Sequence, residues 1–383
     1  MDPSTTFCPN AACPDKGRVG AGNSGIQSQK ERRYSCKICD RTFAATQGTP
    51  YYRRHKGAWL MTVVLILRAH GCPPQAIVAA FGLDERTVAA WLHRAGAHSQ
   101  AVHAHLVETG DLDLGHVQAD EIRVKVRGGV VWPAMAVALP SRLWLGGAVS
   151  RTRDGALVTR LLARVRACAA SPALLLCVDG FAAYVGAARA VFREPVYTGT
   201  RGRPRLALPE GFLLAQVVKS HQGRRLADVT RRVVVGTEEA VARAIAATRG
   251  GTAINTAYIE RLNATFRAHL SPLVRRGRGL AHGTALIEGG MWLVGCAYNF
   301  CWTHESLRLR AIGGRKWQER TPAMAAGLTD HRWTREELLR YRVPPADLVA
   351  VPRPPRGRRG DGRVIPFPLS RTRPAHAPPR RAA

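Results

Sequence analysis

The chain has 383 residues, with 57 Lys and Arg against 27 Asp and Glu, giving a formal net charge of +30. Hydrophobic residues make up 46%, enough for a substantial core spread over roughly two or three domains. The longest apolar run, near 59–67, is too short to cross a bilayer, so a membrane protein is excluded and a polyanionic partner is favoured, double-stranded DNA first.

A GC-rich genome explains the preference for Arg over Lys, but not the twofold excess of base over acid. The first residues are polar and cysteine-bearing, without the basic-then-apolar start of a secretory signal. The expectation is a cytoplasmic, nucleoid-associated protein with no disulfide framework.

Residues 1–50 carry two close cysteine pairs. Cys8 and Cys13 are separated by four residues, and Cys36 and Cys39 by two, in Cys-Lys-Ile-Cys. Two such pairs around a loop rich in Gly and Ser form the ligand pattern of a zinc ribbon, because tetrahedral Zn²⁺ takes four thiolates. So short a segment has too few apolar residues to fold unaided, and a structural Zn²⁺ would supply the missing stability. Four incidental reduced thiols are the competing interpretation. Cys72, Cys168, Cys177, Cys296 and Cys301 sit among apolar or small residues and read as core. Lys30, Arg32, Arg33, Arg41 and the run 51–56 suit phosphate contact with some stacking.

Residues 57–96 read as three helices. The stretch 59–68 has an apolar face and ends at Gly71, and Pro73-Pro74 opens a second helix. Gly82 makes a turn, and Asp84 caps a third helix on which Val88, Trp91 and Leu92 face inward. Short helix, glycine turn and capped helix make a helix-turn-helix pattern, which would present Arg86, Ala89, His93 and Arg94 to DNA. An ordinary three-helix bundle has the same pattern.

From 115 to 305 strand-like and helix-like runs alternate, predicting an α/β core. Residues 116–126 alternate as one strand, with Asp120 in phase with Ile122, Val124 and Val126. A carboxylate on an apolar face is costly unless a cation meets it. Glu121 falls in phase with Arg123 and Lys125 and is expected to pair with them. Strands follow near 130–139 and 143–149, then a helix over 154–169. Residues 173–178 form an apolar run that stops at Asp179-Gly180, a strand buried on both faces whose carboxyl end carries an acid. A helix cap is the other use for that Asp. The helix over 255–270 buries Ile259, Leu262, Phe266 and Leu270, and sets Thr256, Glu260, Asn263 and Arg267 on another face. A surface pair of Glu260 with Arg261 or Arg267 competes with a site role.

Three strands, a helix, a strand ending in Asp, and a later helix bearing Glu make a ribonuclease H-like arrangement. Asp120, Asp179 and Glu260 would hold two Mg²⁺ (or Mn²⁺) ions for in-line attack on phosphorus. At these residues the chain resembles a bacterial insertion-sequence DDE transposase, close to the insertion-sequence-one type, over about 8–340. The resemblance rests on the cysteine pairs, the three helices, Ala-Asp-Glu at 119–121 and Val-Asp-Gly-Phe-Ala-Ala-Tyr at 178–184. It extends to Asn-Thr-Ala-Tyr-Ile-Glu-Arg-Leu-Asn at 255–263, Tyr-Asn-Phe-Cys-Trp-Thr-His at 298–304 and Thr-Pro-Ala-Met-Ala-Ala-Gly-Leu at 321–328. It implies end cleavage and strand transfer at terminal inverted repeats, by a homo-oligomer assembled on DNA.

Two features depart from that family. One is the wide interval from Asp179 to Glu260, which implies an insertion at about 194–250. The other is the basic tail over 350–383, rich in Pro, Gly and Arg and expected to be disordered. Within the insertion, Arg201 and Arg203 lie in Arg-Gly-Arg-Pro, a pattern suited to a narrow minor groove. Arg275 and Arg276 follow the Glu260 helix and, with Arg267, could hold backbone phosphates. The region 306–345 is expected to be helical. A non-catalytic ribbon and helix-turn-helix regulator, and a nuclease that cuts without joining, remain as alternatives.

Overall fold

The computed structural model describes residues 1–54, 57–197, 203–223, 225–273, 283–310 and 316–345. Met1–Pro344 form one unit and Pro345–Ala383 a second, of which only Pro345 is described. The basic tail expected over 350–383 lies outside the described residues.

Three short strands open the chain: β1 (Ser24–Ser28), β2 (Arg33–Cys36) and β3 (Thr42–Ala44), paired antiparallel in that order. Tyr34 and Phe43 pack with Cys8, Cys13 and Cys36 in a small buried cluster. Helices α1 (Ala58–Ala69), α2 (Pro74–Phe81) and α3 (Glu85–Leu106) follow. Pro74 sits at the first turn of α2, where its missing N–H costs nothing. Gly82 turns the chain with φ 57°, and the Asp84 side chain accepts the Arg86 N–H at 2.8 Å. Val88, Trp91 and Leu92 are buried, as their spacing predicts.

The central region contributes β4 (His116–Glu121), β5 (Val124–Val126), β6 (Gly129–Ala138), β7 (Trp144–Ser150), α4 (Gly155–Cys168), β8 (Leu175–Asp179) and α5 (Ala183–Val191). It continues with β9 (Glu194–Val196), β10 (Arg205–Ala207), β11 (Leu213–Gln222), β12 (Arg225–Val235), α6 (Glu238–Ala247), α7 (Ala257–His269) and α8 (Thr284–Cys301). One mixed sheet joins most of these strands, in the order β7-β6-β4-β8-β11-β12. Strands β4, β8 and β11 are parallel, while β6, β7 and β12 each run antiparallel to their neighbour. The α/β class expected from the alternating pattern is therefore observed.

Alternation along the strands sends side chains to two cores. Ala134, Ala136 and Ala138 of β6 pack with α4 and α5, whereas Met135 and Val137 pack with α1, α3, α7 and α8. Helix α6 covers the second face at β8 and β11 through Val241 and Ile245. Both faces of the sheet are covered, which explains the unbroken apolar runs of its central strands.

Three boundaries differ from expectation. Helix α3 does not stop at 96 but continues to Leu106, because Gly96 is a packing position and not an end. It crosses α8 where a Cβ at Gly96 would lie 2.4 Å from Gly289 Cα, so only glycine allows the approach. The segment 194–250 is not set apart from the core: β11 lies parallel to β8, with Leu213–Val217 paired to Leu175–Asp179. Among its described strands, only the β9–β10 hairpin is outside the central sheet. The region 306–345 is mixed, with a two-stranded sheet of β13 (Leu309–Arg310) and β14 (Trp317–Gln318) before α9 (Pro322–Ala325) and α10 (Arg335–Arg340).

Arg342, beyond α10, reaches the N-terminal strands. Its guanidinium donates to Gln47 O at 3.0 Å, to Phe7 O at 3.2 Å and to Thr6 Oγ1, and lies 4.4 Å from the Phe7 ring centre. No helix of the described residues is long and apolar enough to cross a membrane.

Candidate functional site

Asp120 and Asp179 stand at the carboxyl ends of adjacent parallel strands, β4 and β8. That edge is where parallel strands leave room for ligands. Both line one cleft of about 510 Å³, together with Arg153, Lys219, Thr256 and Glu260. The three carboxylates proposed from sequence thus share a cleft. They are not, however, the closest trio. Ligand atoms of Asp120, Glu121 and Asp179 lie within 4.8 Å of one another, and Glu260 is outside that group.

Glu121 corrects the sequence analysis. It was expected to pair with Arg123 and Lys125, but those side chains are exposed and Glu121 is buried. The alternating run is interrupted at Ile122 and Arg123, between β4 and β5. Arg123 in the break and Lys125 beyond it turn to solvent. Before it, Glu121 keeps the face of Val117 and Ala119. Its partner is Arg153, in the loop before α4. Arg153 donates to Glu121 Oε2 through Nε at 3.0 Å and Nη2 at 2.8 Å, and to Asp179 Oδ2 through Nη2 at 2.8 Å. Its guanidinium also lies 4.2 Å from the Phe181 ring centre and 5.4 Å from that of Trp132.

Asp179 is not the cap of α5, whose N-cap is Ala182 without a side-chain bond, but it does fix the turn that leads there. Oδ1 accepts the Phe181 N–H at 3.0 Å and shapes the turn into α5, leaving Oδ2 to the cleft. Asp120 accepts from the Glu121 N–H and from Asn263 Nδ2, each at 2.8 Å. Burial, with Glu121 and Asp179 beside it, pushes the Asp120 carboxyl up to about 7. Burial also raises Glu121, helped by Asp179 and opposed by the Tyr184 hydroxyl and Arg153. One oxygen of Glu121 is buried without a hydrogen-bond partner. A cluster this short of positive charge is poised for a cation.

Helix α7 owes its placement to a buried amide. Gln118 on β4 is fully buried, and its Oε1 accepts the Tyr258 and Ile259 N–H groups at 3.0 and 3.1 Å. Its Nε2 donates to Asn255 O at 2.8 Å. Because Thr256 makes no side-chain cap, Gln118 of the strand beneath satisfies two N–H groups of the first turn of α7, and Asn255 Oδ1 accepts that of Ala257 at 3.1 Å. That docks Ile259, Leu262 and Phe266 in the core and turns Thr256, Glu260 and Asn263 to the cleft, as helical phase predicts. Glu260 pairs with Lys219 of β11, Nζ to Oε1 at 2.6 Å, and accepts from Thr256 Oγ1 at 2.9 Å. Burial pushes its carboxyl up, but Lys219 and Thr256 prevail and hold it below its ordinary value.

The four N-terminal cysteines converge. Cys8 and Cys39 Sγ are 3.7 Å apart, Cys13 and Cys36 3.8 Å, and all four lie within 4.8 Å of one another. A tetrahedron of Zn–S bonds near 2.3 Å has edges of about 3.8 Å. Chain turns carry both pairs, the first through Cys13 N to Asn10 O at 2.9 Å and the second through Cys36 N to Arg41 O at 2.9 Å. The cluster could hold zinc, and the acidic trio could hold a harder metal.

The residues assigned to DNA are scattered. On α3, Arg86 and His93 are exposed and Arg94 is half-buried. Arg203 is exposed, and Arg267 is half-buried on α7. Arg201, Arg275 and Arg276 lie outside the described residues. Arg153, Lys219 and Gln118 carried no local signal of their roles, although a Gln inside an apolar strand is a visible anomaly. No protein-family model matches the chain, and no curated protein matches it in sequence.

Proposed function

We propose that the chain is a DDE-type DNA transposase, cutting DNA and joining strand ends with two divalent metal ions on a ribonuclease H-like core. The observation that carries this is the convergence of Asp120 and Asp179, from the ends of neighbouring parallel strands, in one cleft with Glu260 of α7. The order of three strands, a helix, a parallel strand ending in Asp and a later Glu-bearing helix supports it.

Asp120 and Asp179, with Glu260 or Glu121, would hold Mg²⁺, whose preference is for carboxylate oxygens. Bound metal would activate the attacking water or 3′-hydroxyl and stabilise the leaving oxygen. Asn263 orients Asp120, and the Phe181 N–H orients Asp179. The net charge of +30 supplies long-range attraction for a polyanion. Helices α1 to α3, with Arg86 and His93 on the outer surface of α3, support a helix-turn-helix for end recognition. The cysteine cluster supports a zinc ribbon.

The test is an assay with labelled duplexes carrying the DNA that flanks the gene, with and without Mg²⁺. Wild type should yield joined products, and Asp179→Ala should lose at least a thousandfold. Cutting without joining would make the protein a nuclease. Activity unaffected by Asp179→Ala would sink the metal assignment.

A further inference from the structure

We propose that Arg153 is a displaceable counter-ion: it occupies the Asp179 side of the cleft without metal, and on metal entry remains on Glu121 to hold a DNA phosphate. This rests on the metal reading given under Proposed function.

The contacts of Arg153 are unequal. Two of its hydrogen bonds go to Glu121 and one to Asp179. The Glu121 side chain is 0% exposed, while that of Asp179 is 34% exposed. A fully buried carboxylate cannot lose its cation cheaply, whereas a partly exposed one can exchange it for another. Release of Asp179 would therefore leave the Nε contact to Glu121 and the stacking on Phe181 intact. Those two contacts fix the guanidinium at the rim of the same cleft.

Charge counting gives the direction of the switch. Asp120, Glu121, Asp179 and Glu260 are opposed by Arg153 and Lys219 alone among the side chains paired to them. Two divalent ions would by themselves balance the four acids. Arg153 would then carry surplus positive charge, and its planar fork matches two oxygens of a phosphodiester. A fixed structural ion pair is the opposing account. It predicts that removal of Arg153 only loosens the site.

The experiment uses the full-length protein. Mn²⁺ binding is titrated without DNA by electron paramagnetic resonance of the free ion. Binding of a plain DNA duplex is then measured in saturating Ca²⁺. Arg153→Gln should bind Mn²⁺ at least tenfold more tightly than wild type, yet bind DNA at least tenfold more weakly. Only a competing cation moves the two affinities in opposite directions. Mn²⁺ affinity unchanged or weakened in folded Arg153→Gln overturns the proposal. Should that variant not fold, Arg153→Lys decides. Its ammonium cannot span both carboxylates, so about threefold tighter Mn²⁺ binding is expected, and wild-type or weaker binding is the overturning result. If wild type binds no Mn²⁺ at all, the metal reading itself falls and the proposal with it. Mn²⁺ binding that ignores Arg153 fails this proposal alone.

Discussion

The cysteine cluster and the carboxylate cleft are both metal candidates, yet the chain prepares them differently. In the cluster, four sulfurs already stand at tetrahedral spacing, with Cys8 and Cys39 3.7 Å apart. In the cleft, Arg153 and Lys219 grip three of the acids. The reason is protonation. Burial pushes the Cys8 thiol up to about 12 and keeps it neutral, so it can pack against Cys39, which Asn10 and the Arg41 backbone pull down to about 6. In the cleft the carboxylates of Asp179 and Glu260 are met by cations, while burial holds Asp120 up at about 7. A thiolate site can therefore be prebuilt, while a carboxylate site must exchange one cation for another.

The strongest way to break this comparison is Cys36→Ser. Zinc should fall from about one per chain to near none, since three thiolates bind far more weakly than four. The segment before α1 should become open to protease while the sheet survives. Retained zinc, or a protected segment, would show that the cluster is not a metal-built fold. Next in size, Gln118→Leu removes the acceptor for two N–H groups of α7 and should cost about 3 kcal/mol of stability. The denaturant midpoint should fall and Mn²⁺ affinity weaken, with zinc content unchanged. Equal loss of both metals would mean the two sites are not independent.

The smallest effect is in pH. Asp120 stands at about 7 in the folded protein, well above the value of about 3.9 for an unfolded Asp. Below both values the group is protonated in either state. As pH rises from about 4 to 7 the unfolded chain ionises first, so this carboxyl's contribution to stability declines and then levels off. Mn²⁺ affinity should move the other way, rising by up to about tenfold per pH unit below 7 and flattening above it. Asp120→Asn should remove this carboxyl's share of the stability change, leaving that of Glu121, which burial raises as well, and should weaken Mn²⁺ binding throughout. A pH-independent Mn²⁺ affinity between 5 and 7 in wild type would contradict the assignment.

Much of the fold was legible because the signals were periodic. The apolar run into Asp179 identified a two-sided strand, and the phase of Ile259, Leu262 and Phe266 set the buried side of α7. Asp120 was separated from Glu121 by parity, and it does bond to Asn263 on α7. Glu121 was lost because parity assumes an unbroken strand, and this one breaks at Ile122. The third helix was bounded at 96, short of Leu106, and the part Gly96 plays in close packing appears only with its partner, Gly289. Arg153 and Lys219 were missed for another reason. Their acids lie 26 to 41 residues away in sequence for the Asp179 and Glu260 pairs, and no local pattern marks a charge that crosses a cleft.

The embrace of the first strands by Arg342 has a consequence for synthesis. A ribosome completes the cysteine-bearing segment long before it reaches position 342. That segment can take up its metal early, but its Phe7 and Gln47 carbonyls wait for a guanidinium made much later. A truncation before Arg342 would therefore leave the cysteine-bearing segment unsealed.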